Sequence, residues 1–487
     1  MGYVDVDSLP KFEPGGVVDT AELDAWFTAL ADALDGLTAR NLTVPFVYEG
    51  TIDLDDTTPG IIVNHGIKNA HNLLQDMISA TENGVPVDDL SEDSAAPLQQ
   101  LMDYVYETLG GGTIYLPSGH YYLKTENHSS VYDDNHPSRT RLEVPPKVHL
   151  MGAGAGKTVL VMSQVGPSGG TQDVLLAMLG EIPENNTGVN SPGSAGSLRD
   201  MTLQDSTTNA GDVTILVHGR GRYGLIIGVE AIGKPIQYAA ADGNTTRAFQ
   251  INNWDDFTYW ALNWIVENCT ARNCQWLFSI RNQTQFHNFI DTVAYRCGGG
   301  IQMLAADHFI ISGMRVFSRF PDADVEEEAA VEIYYHATSG YGSGQIILTG
   351  CVFRDRCRTA PVISWEASRG VITNCSITES AEAQSDRALK AIGVGVRVIP
   401  HPSNLIVAIG MNQIEVVSGL GPGVDGERRA IYITGASSNP TPYYAFCNIA
   451  MNEMAVTSGT GWEEVEVVDN APTGQVDEYA NQKWTSD

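Results

Sequence analysis

What this chain lacks narrows its roles before any motif is read. Lysine is scarce, with eight residues at positions 11, 68, 124, 147, 157, 234, 390 and 483, while Asp and Glu number 59. The resulting formal charge of −31 repels phosphate backbones and anionic membrane surfaces, so nucleic acid is not an expected partner. No stretch approaches the roughly 20 apolar residues of a membrane span, and membrane insertion is not expected either. The opening Met1-Gly2-Tyr3-Val4-Asp5-Val6-Asp7 has neither the basic nor the apolar region of a secretory leader. Three routes fit that: the chain stays inside its cell, a leader has been removed, or the chain leaves by lysis as part of a particle. A surface short of lysine and rich in carboxylates stays hydrated in strong salt, which suits a halophilic source, or equally an acidic secreted or marine protein.

Cysteine is sparing too: seven residues, an odd number, with no CxxC. That argues against a disulfide framework or a metal set, and no metal or cofactor is expected. The cysteines instead mark a repeat. Ile265-Val266-Glu267-Asn268-Cys269, Ile347-Leu348-Thr349-Gly350-Cys351 and Val371-Ile372-Thr373-Asn374-Cys375 share one frame. Laid over further copies, an apolar column reads Val229, Cys269, Val293, Met314, Cys351, Cys375, Met411, Met451. The column before it reads Gly228, Asn268, Thr292, Gly313, Gly350, Asn374, Gly410, Ala450, and Gly and Asn tolerate a left-handed bend. Three positions before the apolar column stand Ile226, Val266, Ile290, Ile311, Leu348 and Ile372. Strand, bend and strand at unequal spacing exclude fixed-period helical arrays and predict an all-β solenoid whose strands stack about 4.8 Å apart.

Ahead of these coils, apolar Leu98, Leu101, Met102, Val105 and Leu109 recur at helical spacing and predict a helix over 96–109. It runs into Leu109-Gly110-Gly111-Gly112-Thr113-Ile114-Tyr115-Leu116-Pro117-Ser118-Gly119-His120-Tyr121-Tyr122-Leu123. This resembles the opening of pectate-lyase-like right-handed parallel β-helices. Lys147-Val148-His149-Leu150-Met151-Gly152-Ala153-Gly154 resembles the family's next strand and glycine turn. The resemblance implies a single-stranded β-helix over 61–456, with an N-terminal segment at 1–60 and an acidic C-terminal segment at 457–487. The run Gly152-Ala153-Gly154-Ala155-Gly156-Lys157-Thr158 is not a P-loop, because Met151 stands where that motif requires glycine.

Thr20 is placed to cap a helix from Ala21 to about Gly36, with Trp26, Leu30 and Leu34 along one face. Such a stripe docks on its own chain or on further copies. The run from Ala33 to Leu42 resembles virion-attachment segments of tailed-virus fibres and spikes. That resemblance implies a homotrimeric virion protein bound to tail or capsid components.

For chemistry, Ile301, Val331 and Ile363 are expected to point inward, and Gln302, Glu332 and Ser364 outward. This puts Glu332 and Glu366, with Tyr334 and Trp365, on or beside one exposed face. Carboxylates beside aromatic rings are what a glycan cleft uses, for acid–base work and for stacking. Asp307 and His336 lie at strand ends nearby as further candidates. Asp255-Asp256 resembles the paired aspartates of polygalacturonases, but their Gly-His-Gly and Arg-x-Lys elements are absent, so that activity is not expected. The acidic run 322–328 is expected to be a solvated loop, with cation binding as its alternative. The expected function is binding of a host-surface polysaccharide by a virion spike, with a polysaccharide-degrading enzyme on the same scaffold as the alternative.

Overall fold

The computed structural model describes residues 77–487 except 127–138, 164–172, 181–194, 208–212, 235–245, 253–261, 318–328, 335–342, 357–361, 366, 381–392, 399–404, 418–427, 434–444, 458–461, 468–474, 480–481 and 487. The expected helix bearing Trp26, Leu30 and Leu34, the 1–60 segment, Asp255-Asp256 and the acidic run 322–328 lie outside the described residues.

Each coil of the chain lays down a strand, turns through a tight bend, lays down a second strand and, after a longer connection, a third. The first such coil is Gly112–Leu116, Gly119–Leu123 and Arg139–Val144. The next is Val148–Gly152, Thr158–Met162 and Asp173–Met178. Every strand pairs in parallel with its equivalent one coil on, so three faces run the length of the solenoid; we name them sheets A, B and C in chain order. Sheet B has 12 strands, one for each of twelve coils. Sheets A and C merge into a 22-stranded sheet because Trp276–Ile290 and Gly299–Ser312 pass round the corner between them unbroken. The sequence places the end of the solenoid at 456, but its strands continue beyond that point. Trp462–Val467 completes coil 11, and Gln475–Tyr479 and Gln482–Ser486 form coil 12.

In coils 3 to 11 the bend between sheets A and B is a single left-handed residue. Its column is Asp200, Gly228, Asn268, Asp291, Gly313, Gly350, Asn374, Met411 and Met451, with φ between 49° and 68°. Five of these match the expected column, and three expected members do not. Thr292, Gly410 and Ala450 each fall one residue away from the left-handed position, which Asp291, Met411 and Met451 occupy. The inward column shifts with them. Cys269, Cys351 and Cys375 are buried free thiols in it, as expected. Thr292, Asn412 and Asn452 stand there in place of Val293, Met411 and Met451. Phe289 likewise replaces Ile290 in the apolar column three positions earlier, paired with Val266 and Ile311.

The two asparagines satisfy the backbone they displace from water. Asn412 Nδ2 donates to the Ile372 carbonyl (3.0 Å) and to Asn452 Oδ1 (3.0 Å), while Asn412 Oδ1 accepts from the Cys375 amide (2.9 Å). Asn452 repeats the pattern one coil on, donating to the Ile409 carbonyl at 2.9 Å.

The N-terminal end of the solenoid is closed by helix α1, Ala95–Leu109. Leu98, Leu101, Met102 and Val105 bury its apolar face, while Leu109 at its end is exposed. Gln99 plays the part of a missing strand. Its amide donates to the Glu143 carbonyl (2.8 Å) and accepts from the Glu143 amide (2.8 Å), pairing a sheet edge that has no coil beneath it. Asp93 ties the start of the helix to coil 1, accepting from the amides of Ala95, Lys124 and Thr125 and from the Thr125 hydroxyl. Burial pushes its carboxyl upward, but those hydrogen bonds outweigh burial and hold it below the usual range.

Candidate functional site

Sheet C carries an apolar–polar–apolar triplet in almost every coil: Leu142-Glu143-Val144, Val217-His218-Gly219, Phe249-Gln250-Ile251, Phe278-Ser279-Ile280, Ile301-Gln302-Met303, Val331-Glu332-Ile333 and Ile363-Ser364-Trp365. Pairing holds these triplets in register, so their central residues form one row, Glu143, Ala177, His218, Gln250, Ser279, Gln302, Glu332, Ser364, Arg397, Tyr432 and Glu466. The flanking members, where the strands alternate regularly, face the core. The central members from Glu143 to Ser364 face away from it.

An outward row on a solvated sheet would be exposed, and this one is not. His218 and Ser279 are fully buried, and Glu332 and Ser364 are only 6% and 8% exposed. Gln302 is half-buried and is where the described stretch of the row reaches solvent. Several of the polar groups are held by hydrogen bonds. Gln302 Nε2 donates to Glu332 Oε2 (3.3 Å), and the Ala329 amide donates to Glu332 Oε1 (3.0 Å). Arg247 Nη1 donates to Gln250 Oε1 (2.8 Å), and Arg220 Nε to His218 Nδ1 (3.3 Å), which makes Nδ1 the acceptor of that ring. The Ser279 hydroxyl has no hydrogen-bond partner among the described residues. In the neighbouring outward row, Trp276 lies over Gly299, where an added Cβ would stand 2.1 Å from the indole.

Glu332 therefore takes the outward place expected of it, but the rest of the expected cluster is divided. Trp365 does not share that outward face. Its pairing with Ile333 turns it inward, where it is fully buried with its ring against Gly370. Tyr334 is in register with Leu304 on the same strand as Glu332. Glu366 and His336 lie outside the described residues. Asp307 sits at the corner between sheets C and A and holds neighbouring chain together: its Oδ1 accepts from the Gln345 amide (3.0 Å) and pairs with His308 Nδ1 (3.0 Å).

Within the row, no second carboxylate comes near Glu332. Glu466 is four coils away, about 19 Å at 4.8 Å per coil, and Glu143 six coils away, about 29 Å. Glycosidase carboxyl pairs need about 5–9.5 Å. Among the described residues no group of three or more His, Cys, Asp or Glu side chains gathers as a metal site, and no helix is long and apolar enough to cross a membrane. A surface depression of about 400 Å³ lies elsewhere, at the A–B bend of coils 9 to 11, lined by Met411, Gln413, Met451 and Glu453 among others.

No protein-family profile matches the chain, and no curated protein sequence matches it. Solved structures do. A double-mutant tailspike protein of E. coli bacteriophage HK620 is similar over 85% of this chain and 68% of that one, with TM-score 0.53 and 13% identity. The A-module of mannuronan C-5 epimerase AlgE4 from Azotobacter vinelandii is similar over 84% and 100%, with TM-score 0.50 and 15% identity. The fold is a right-handed parallel β-helix. DFA-IIIase from Arthrobacter chlorophenolicus A6 shares it too, over 83% of this chain and 94% of that one, at TM-score 0.53 and 11% identity. At such identities the likeness concerns the β-helix itself, and the chemistry rests on this chain's own residues.

The sequence indicates this row at Gln302, Glu332 and Ser364, and the signal for its extension is there too. His218, Gln250 and Ser279 each sit between two apolar residues at the place Glu332 holds in its own triplet.

Proposed function

We propose that this β-helix binds a host-surface polysaccharide along the outer side of sheet C, as the spike or fibre protein of a virion. The observation that carries the reading is the Gln302–Glu332 pair, fixed by hydrogen bonds at the place where the row reaches solvent. Hydroxyl-rich polymers are recognised by amides, hydroxyls and carboxylates already fixed in place, because a fixed group loses little freedom on binding. A row running up the solenoid axis also favours an extended polymer over a compact ligand. The chain meets it first at Gln302, with Glu332 and Ser364 beside it.

The virion part of the reading draws on the sequence: the Trp26/Leu30/Leu34 stripe and the attachment-like run from Ala33 to Leu42. With it go assembly as a homotrimer and attachment to a tail or capsid component. The tailspike named above is a virion protein by its name, and this chain shares its fold.

The alternative is a polysaccharide-degrading enzyme in which Glu332 and Glu366 act as the acid–base pair. Glu332, held by Gln302 and the Ala329 amide, is the one observation in its favour. Incubating the purified protein with host-surface polysaccharide separates the readings. Retention of chains of undiminished length supports binding, shortened chains transfer the site to the alternative, and no retention at all overturns both.

A further inference from the structure

The corner where sheet C turns into sheet A carries a second left-handed column, Tyr223, Asn263, Phe286 and His308, with φ of 57°, 57°, 60° and 57°. Pairing of the residues just before them, Arg222 with Leu262, Leu262 with Gln285, and Gln285 with Asp307, stacks the four in register. Asparagine adopts this conformation at little cost, but tyrosine and phenylalanine do not. The strain is not offset by burial, since Tyr223 and Phe286 remain 51% and 46% exposed. Phe286 and His308 touch across coils, their ring centroids 4.8 Å apart.

Two residues further along each strand, the outer face of sheet A continues with Leu225, Ile265, Asn288 and Ile310. Ile265 and Ile310 are 38% and 43% exposed. With apolar residues at seven of its twelve outward positions, this face covers coils 4 to 7, about 16 by 19 Å at ordinary strand rise and spacing. Exposed apolar side chains gathered on one sheet face suit a contact surface.

Charge says which partner suits it. The chain carries 59 Asp and Glu, yet of the three outward positions per coil across these four coils only Glu267 is acidic. A basic partner would gain from acidic groups here, whereas a partner as acidic as the chain itself requires their removal. We infer that copies of this chain associate through the outer face of sheet A at coils 4 to 7. The inference rests on the reading that the chain works as an assembly, and it adds the surface by which the β-helices meet.

The test uses the full chain, with sedimentation velocity over a range of concentrations. Ile265→Glu with Ile310→Glu should raise the dissociation constant at least about tenfold, because like charges are forced together at an apolar centre. Tyr295→Glu, at a position 45% exposed on sheet B, should leave it unchanged. Raising NaCl should tighten wild-type association, since the charge of −31 is screened while the apolar contact is not. Hydroxyl-radical footprinting of the wild type, which needs no variant to fold, should show Phe286, Ile265 and Ile310 protected at high concentration and reactive at low. A wild type that stays monomeric overturns the assembly reading. An oligomer that ignores the double substitution, or leaves these three side chains reactive, overturns the choice of face.

Discussion

Met411 and Asn412 are neighbours in the chain with opposite duties, and substituting each in turn tests the coil register. Met411 holds the left-handed bend at φ 56° with its side chain 53% exposed. An L-residue there bears about 1–2 kcal/mol of strain. Met411→Gly removes it and loses little burial, against about 0.5–1 kcal/mol for the extra freedom of glycine in the unfolded chain. The net effect should be a gain of up to about 1 kcal/mol. Asn412 is 1% exposed and bonded to the Cys375 amide and the Ile372 carbonyl. Asn412→Ala strands both backbone groups out of reach of water, each at about 1–3 kcal/mol, so a loss of about 2–6 kcal/mol is expected.

Urea unfolding followed by circular dichroism gives the sign of each change. Because a twelve-coil solenoid need not unfold in one step, amide exchange in residues 372–375 and 409–412 localises the effect. The register first expected from the sequence makes the opposite forecast: with Met411 in the core, its loss to glycine would open a cavity costing several kcal/mol, and Asn412→Ala would be nearly silent. That reversed pattern would refute the bend assignment.

Cys269, Cys274, Cys297, Cys351 and Cys375 are buried and free, and burial pushes the Cys269 thiol up to about 12; none should react with DTNB at pH 8 until denaturant is added, and rapid labelling of any one would contradict its inward placement. Asp93→Asn should loosen α1 and flatten the acid limb of the stability profile. Its carboxyl is held below the usual aspartate range, so its contribution is complete above that range and fades as pH falls through the still lower folded value; an unchanged acid limb would count against its anchoring role. Gln302→Ala and Glu332→Gln should each weaken polysaccharide retention about three- to tenfold, one hydrogen bond's worth, without moving the melting temperature by more than a few degrees; unchanged retention in both would move the binding face off sheet C.

The fold was legible because solenoid coils reuse one frame. Cys269, Cys351 and Cys375 marked the inward column, and the Leu109–Leu123 run marked where α1 hands over to the first coil. The register slipped where residue type stopped reporting position. Methionine at 411 and 451 reads as core, and asparagine at 412 and 452 reads as bend, yet the hydrogen bonds of Asn412 to backbone make the buried place the better one for it. Trp365 went astray for a related reason. A large ring beside a carboxylate suggests a sugar platform, but its strand alternates, and Ser364 had already taken the outward position. The C-terminal coils were missed because their triplets, Val465-Glu466-Val467 for one, are short and embedded in acidic sequence.

A row of this kind constrains what can bind to it more than any single member does. Its residues come one per coil, so adjacent contacts are fixed at about 4.8 Å along the axis, and a ligand spanning Gln302 to Ser364 must extend about 10 Å in that direction. Each outward side chain is flanked by two inward ones that hold the strand regardless of what stands between them. Substituting the middle of a triplet therefore alters recognition with small effect on the core, which is how the same frame holds Glu at 332, Ser at 364 and Gln at 302. Acid–base cleavage, by contrast, needs two carboxyls at a set separation. The row supplies one, at Glu332, with the next about 19 Å away. Any second carboxyl has to come from a connection beside the row, as Glu366 would. Glu332→Gln and Glu366→Gln thus divide the two functions. A binding floor loses part of its affinity with the first and little with the second, whereas a hydrolase loses turnover with both while binding persists. The first pattern is the one expected, and loss of turnover in both variants would refute it.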